Sequence, residues 1–280
     1  MLRICLVGEL RVELDGRRLE SIASRQARSL LAWLAYHQGL HPRTRVAAVF
    51  WPDVLETSAR ASLRTALATL RRGLGEEASA LLLAGRDRIG IEDGPGVWVD
   101  VRDARRLAAA GRRDEALALC DGDLLVDLDD EWVLEERRAL RDRAGELLMA
   151  LGDAAEQAGD VEAAVRHARR RVELDPLSED ATRVLMRRLG RAGDGAAAVA
   201  AYEALRAALR RDLGMVPSPE TRLLVDELRN APRTPAVDPR TVPCRRRLAP
   251  ATPCRSSAAA STWPRCTRPG GARAPARRSS

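Results

Sequence analysis

The spacing of apolar residues changes period several times along the first hundred positions. Residues 2–7 and 10–14 read as short strands, and the turn pair Asp15-Gly16 closes the second. From 24 to 38 the spacing becomes helical: Ala27, Leu30, Leu31, Leu34 and Ala35 repeat on one face, Ser24 stands at the N-cap, and Gly39 ends the run. A shorter helix over 43–51 carries Val46, Ala47, Val49 and Phe50, and Pro52 stops it. A third helix starts at Thr57 or Ser58, runs through Leu74 and closes at Gly75. Its apolar stripe is Ala59, Leu63, Ala66, Leu67, Leu70 and Leu74. Residues 81–84 and 88–92 flank Gly85-Arg86-Asp87 as a hairpin, and 97–101 read as a strand leaving the unit. A strand pair, three helices and a hairpin, in that order, predict a winged helix-turn-helix over residues 1–101. In that geometry the third helix enters the DNA major groove and the hairpin lies on the backbone or minor groove.

The chemistry of the third helix supports that placement. Opposite the stripe stand Ser58, Ala61, Ser62, Thr65, Thr69 and Arg72, with Arg60, Arg64 and Arg71 on the shoulders and no carboxylate from Thr57 to Gly75. Small side chains let a helix backbone approach a groove, and arginines reach base edges or phosphates. Ser62, Arg64, Thr65 and Arg72 are therefore expected to face bases, and Arg60, Arg71, Arg86 and Arg88 to contact phosphates or the minor groove. The same pattern also suits an ordinary solvated amphipathic helix, which leaves a winged helix that binds protein and not DNA as the alternative.

Residues 102–229 read as all-helical and repetitive, with helices over 130–158 and 161–174. Ala158-Gly159-Asp160 returns as Ala192-Gly193-Asp194 after 34 residues, the period of tetratricopeptide repeats, and residues 110–116 look like a degenerate earlier unit. Such stacks usually hold a protein segment in a concave face. Asp127, Asp129, Asp130 and Glu131 lack calcium-loop spacing and are expected to form a solvated acidic loop.

Composition narrows the chemistry further. The 47 basic residues are all arginine, so a phosphate-binding loop with its lysine, a Schiff-base lysine and a serine–lysine dyad are all excluded. The formal charge of +7 is also misleading. Eleven arginines and one acid (Asp238) fall in residues 230–280, which leaves residues 1–229 slightly acidic and residues 1–100 at +2. That basic tail holds nine of the 15 prolines and no apolar period, and disorder is expected. A DNA-phosphate arm, a proline-rich docking segment and a frame-shifted translation each account for it. The five cysteines and three histidines are scattered, so no metal site, cofactor or nucleophile pair is expected, and the chain is read as no enzyme. With no long apolar run and an early Arg3 and Glu9, a soluble cytoplasmic protein without membrane association is expected.

Particular runs resemble a known family. Phe50-Trp51-Pro52-Asp53, the run from Ala59 to Arg64, Leu67, Leu70-Arg71-Arg72 and Leu74-Gly75 are similar to the DNA-binding domain of the Streptomyces antibiotic regulatory protein family, an OmpR-type winged helix. Leu10-Arg11-Val12, Asp15-Gly16 and Trp98-Val99-Asp100 fit the same pattern. Gly122-Asp123-Leu124-Leu125, Trp132-Val133, Glu135-Glu136-Arg137-Arg138 and the run from Asp212 to Thr221 resemble the bacterial transcriptional activation domain that comes after it in the family. The resemblance implies a transcriptional activator that binds direct repeats in double-stranded DNA, with two copies head to tail as a homodimer, and recruits RNA polymerase. Larger members append an ATPase domain, and with no lysine in residues 1–280 none is expected within them.

Overall fold

The computed structural model describes residues 1–20, 22 and 24–230; of the tail read as disordered, Asn230 ends the last helix and residues 231–280 lie outside the described ones. Strands β1 (Leu2–Cys5), β2 (Arg11–Leu14) and β3 (Arg17–Arg18) precede helix α1 (Arg25–Tyr36). Ser24 caps α1 by accepting from the Ala27 amide at 3.4 Å, as its side chain and position require. Strand β4 (His41–Pro42), α2 (Arg43–Phe50) and α3 (Glu56–Ala80) come next, then β5 (Leu82–Ala84), β6 (Arg88–Ile91) and β7 (Val97–Val99). Every residue of the expected α3 stripe is buried. The helix breaks at Gly75 as expected, where φ 77° and ψ 176° are not helical, and a second short helical segment runs on to Ala80 with Ala78 buried in the core.

Two sheets frame the helices. One runs β3-β2-β1-β7, with β1 antiparallel to β2 (Ile4 opposite Val12) and parallel to β7 (Ile4 opposite Val99). The other runs β4-β6-β5 and forms the wing. Gly90 in β6 has no substitute there: a Cβ would stand 2.3 Å from the Gly39 carbonyl oxygen, so only glycine lets the α1–β4 turn close on the wing.

From Asp100 the chain is helical: α4 (Asp100–Ala109), α5 (Arg113–Leu119), α6 (Glu131–Gln157), α7 (Val161–Leu174), α8 (Glu179–Arg191), α9 (Gly195–Leu213) and α10 (Pro219–Asn230). The 34-residue repeat is a repeated turn. Gly159 and Gly193 both take φ 77°, which lets the next amide reach back to the preceding helix, Asp160 N to Ala155 O and Asp194 N to Leu189 O, both at 2.9 Å. Each aspartate then caps the next helix through the amide of Ala163 or Ala197. The 110–116 unit makes the same turn at Gly111, with Arg112 N donating to Leu107 O, but an arginine in place of the aspartate leaves α5 without a side-chain cap.

One apolar core runs from Leu2 to Ala144 without a break at residue 101. The loop between α5 and α6 acts as a further strand edge for the N-terminal sheet. Leu125 N donates to Leu6 O at 2.8 Å, Gly8 N to Asp123 O at 2.8 Å and Val126 N to Gly8 O at 2.9 Å. Asp127, expected in a solvated acidic loop, is instead part of this seam. Its carboxylate accepts from Leu10 N at 2.9 Å and pairs with Arg28, whereas Asp129 and Glu131 are exposed as expected. Arg137 closes the loop from below, donating to the carbonyls of Leu124, Leu125 and Leu128. Trp132 donates its indole N–H to Ser29 Oγ at 3.2 Å inside the core.

Aromatic and imidazole rings close the other end of the seam. His37 packs against Trp33 at 4.3 Å and lies 6.3 Å from Trp132, with Glu136 Oε1 3.6 Å from its Nε2. The glutamate favours a charged ring, but burial outweighs it, and the charges of His41, Arg105, Arg45 and Arg102 act in the same direction as burial. His37 is thereby pushed down to about 4. A depressed histidine stabilises the fold fully above its ordinary value near 6.5 and loses that contribution as pH falls through 4. The wild-type chain is expected to lose about 3 kcal/mol from this ring between pH 7 and pH 4. A His37→Gln chain is expected to lose correspondingly less. Urea titrations at both pH values measure this, and parallel losses in the two chains would refute it.

Candidate nucleic-acid interface

The α3 face away from the stripe is open. Ser58, Arg60, Ala61, Arg64, Thr65, Arg71 and Arg72 are exposed, Ser62 and Thr69 are half-buried, and the helix packs its other side on α1, α2 and β5. Two grooves run along it. On the wing side, Arg60, Arg64 and Arg86 gather around a cleft of about 300 Å³ together with Pro42, Arg43 and Thr44 at the start of α2. On the opposite side, Ser62, Thr65 and Thr69 line a shallower groove of about 400 Å³ with Ser24, Gln26 and Trp51. Arg72 and Arg88 are exposed outside both grooves, Arg88 at the β6 end that pairs with Pro42.

The local electrostatics differ from residue to residue. Arg60 is paired with Glu56 at 2.6 Å, one turn back and just ahead of the carboxylate-free stretch. Both partners are more than half exposed, so the pair is weak and readily exchanged for another anion. Thr65, itself exposed, donates its hydroxyl to Ala61 O at 3.2 Å, a back-bond to the preceding helical turn.

Arg43 is the residue that sequence reasoning missed. Its amide donates to Asp87 O at 2.9 Å and its Nε to Gly85 O at 3.1 Å, which fastens α2 to the wing turn. Burial pulls its pKa down, and the neighbouring Arg71 and Arg64 guanidiniums add to the effect, with Asp87 opposing. Arginine does not lose its proton under such pressure, so the site keeps crowded positive charge that an incoming anion would relieve. Nothing periodic marks Arg43 in the sequence. Its role depends on β4, a two-residue strand paired with a hairpin more than forty positions later.

Comparison with known proteins gives three findings. Residues 100–229 match the family of the bacterial transcriptional activator domain. The chain is 28% identical to the regulatory protein AfsR of Streptomyces griseus over 78% of its own length, and it spans 24% of that relative. Its fold is similar to that of Mycobacterium tuberculosis EmbR in a solved complex with a low-affinity phosphopeptide, with a TM-score of 0.60 and 23% identity over 81% of this chain and 64% of that one. The expectation of a winged helix with a helical repeat domain behind it is borne out by this likeness. With the activator domain matched at 100–229 and a winged-helix fold ahead of it, the chain is similar to the Streptomyces antibiotic regulatory proteins.

Proposed function

We propose that the chain is a sequence-specific DNA-binding transcriptional activator, with residues 1–101 as the reader and 102–229 as the part that recruits RNA polymerase. The observation that carries this reading is the exposed α3 face: free of carboxylates from Thr57 to Gly75, bordered by the Arg43, Arg60, Arg64 and Arg86 cleft, and flanked by the wing. Ser62, Arg64, Thr65 and Arg72 face base edges. Arg60, Arg71, Arg86 and Arg88 hold phosphates, Arg60 by exchanging Glu56 for a phosphate oxygen and Arg71 beside Arg43. Two copies sit head to tail on direct repeats, since a reader of one orientation needs a second copy to cover a second half-site.

A footprint of the full chain on DNA upstream of its own gene and its neighbours supplies the site. On that site Arg64→Ala is expected to cost about 1–3 kcal/mol and to relax base preference at one position. Arg86→Ala is expected to weaken all sequences alike and to reduce the slope of log K against log salt by about one. Absence of any footprint, with equal weak binding to scrambled duplexes, would favour the alternative of a repeat scaffold whose winged helix binds protein. In transcription reconstituted with RNA polymerase, Arg64→Ala is expected to abolish stimulation at the same promoter.

A further inference from the structure

A cleft of about 800 Å³, larger than either groove along α3, lies away from α3, where β7 leaves the sheet and α4 begins. Its volume falls in the range of small-molecule sites. One wall is apolar, built from Pro95, Val97 and the half-buried indole of Trp98. The other is formed by Arg102, Arg105 and Arg106 on α4.

The charges in this cleft are unevenly compensated. Asp103 is spoken for: it accepts the Trp98 indole N–H at 3.1 Å and pairs with Arg106. Arg105 lies 4.4 Å from the centre of the Tyr36 ring and donates to Tyr36 O at 3.1 Å, with no carboxylate partner. Arg102 has a side chain only 10% exposed. It donates to Leu34 O at 2.8 Å, stands 3.9 Å from the largely exposed Asp93, and keeps a buried Nε with no hydrogen-bond partner. Burial pulls the Arg102 pKa down, and Asp93 only partly opposes this. A desolvated guanidinium with one distant counter-charge is costly unless an anion completes it.

We infer that this cleft binds a small organic anion, its carboxylate on Arg102 and Arg105 and its flat apolar body against Trp98 and Pro95. Asp93 then occupies the ligand's place electrostatically, and Gln38, which donates to Asp93, holds it there. The walls come from both sides of position 101, so an occupant would rest on the winged helix and the helical half together.

The test uses the full chain without DNA and 2-naphthoate as the probe, with the uncharged 2-naphthalenemethanol as control. The indole N–H resonance of Trp98, assigned from its loss in Trp98→Phe, reports occupancy in a nitrogen–proton correlation spectrum. Naphthoate is expected to shift that resonance saturably, with the alcohol at least tenfold weaker. Asp93→Asn, an exposed and conservative change, is expected to tighten naphthoate about fivefold and leave the alcohol unchanged. Arg102→Gln, read only if its circular dichroism matches the parent, is expected to abolish the preference for naphthoate. A Trp98 resonance that stays fixed to the solubility limit of naphthoate overturns the inference. So does equal binding of the two probes, or naphthoate affinity indifferent to Asp93→Asn.

Discussion

A chain ending at Val101 is expected to lose cooperative unfolding, although that cut falls beside residue 100, where the match to the activator domain begins. The reason is the seam. Leu124, Leu125, Leu128, Trp132 and Val133 are all buried in the core that also holds Leu6, Leu10 and the α1 side chains. Burying side chains of that size stabilises by about 1.5–3 kcal/mol each, on the order of 10 kcal/mol for the five. That is comparable with the ~5–15 kcal/mol by which whole domains are stable. The cut also strands the Leu6 carbonyl, the Gly8 amide and carbonyl, and the Leu10 amide, whose partners come from Leu125, Asp123, Val126 and Asp127. Thermal denaturation followed by circular dichroism measures this. A fragment of residues 1–101 that melts in one sharp transition near the temperature of the full chain would contradict it. DNA-binding measurements on this protein accordingly need the full chain.

Asp100→Ala is expected to cost about 2–5 kcal/mol, a large effect for one side chain. Asp100 is 4% exposed, and its carboxylate accepts from Leu6 N at 2.7 Å, Val7 N at 2.9 Å and its own neighbour Val101 N at 2.8 Å. Alanine leaves these donors in the core without partners. Asp100→Asn keeps an oxygen that can serve Leu6 and Val7 and is expected to lose less. Burial raises the Asp100 pKa, and the three amide bonds only partly offset this, so the folded chain favours the protonated form more than the unfolded chain does. The contribution of this group is therefore greatest in acid and falls as pH rises through the raised value, opposite in sign to His37. Urea midpoints of the three chains at neutral pH rank them. An alanine variant as stable as the parent would show that water replaces the carboxylate.

Local pattern carried far into this fold. The α3 stripe, the Ser24 cap and the paired Ala-Gly-Asp turns are all settled within a few residues, and each appears where the spacing places it. The candidate DNA-facing residues come from the same logic, since a helix that buries Leu63, Leu67 and Leu70 must turn Arg64 and Arg72 outward. What stayed hidden depends on partners distant in sequence. Val7 bridges Leu124, Asp127 serves Leu10 and Arg28, and Arg43 reaches the wing, and no period within a short window encodes such meetings. Glu56 was hidden differently, by standing one residue outside the acid-free stretch that begins at Thr57.

The cations around α3 and the wing are guanidiniums without exception, and this sets how the surface can be controlled. An ammonium face can be erased by acylating its amines; this one has no side-chain amine to acylate. Nor does mild alkali neutralise it, since guanidinium keeps its proton beyond about pH 12. Adjustment of the grip proposed for it on an anionic polymer is left to ionic strength, to competing anions, to modification of the hydroxyls that stand beside the arginines, or to a change elsewhere in the molecule that moves the whole face.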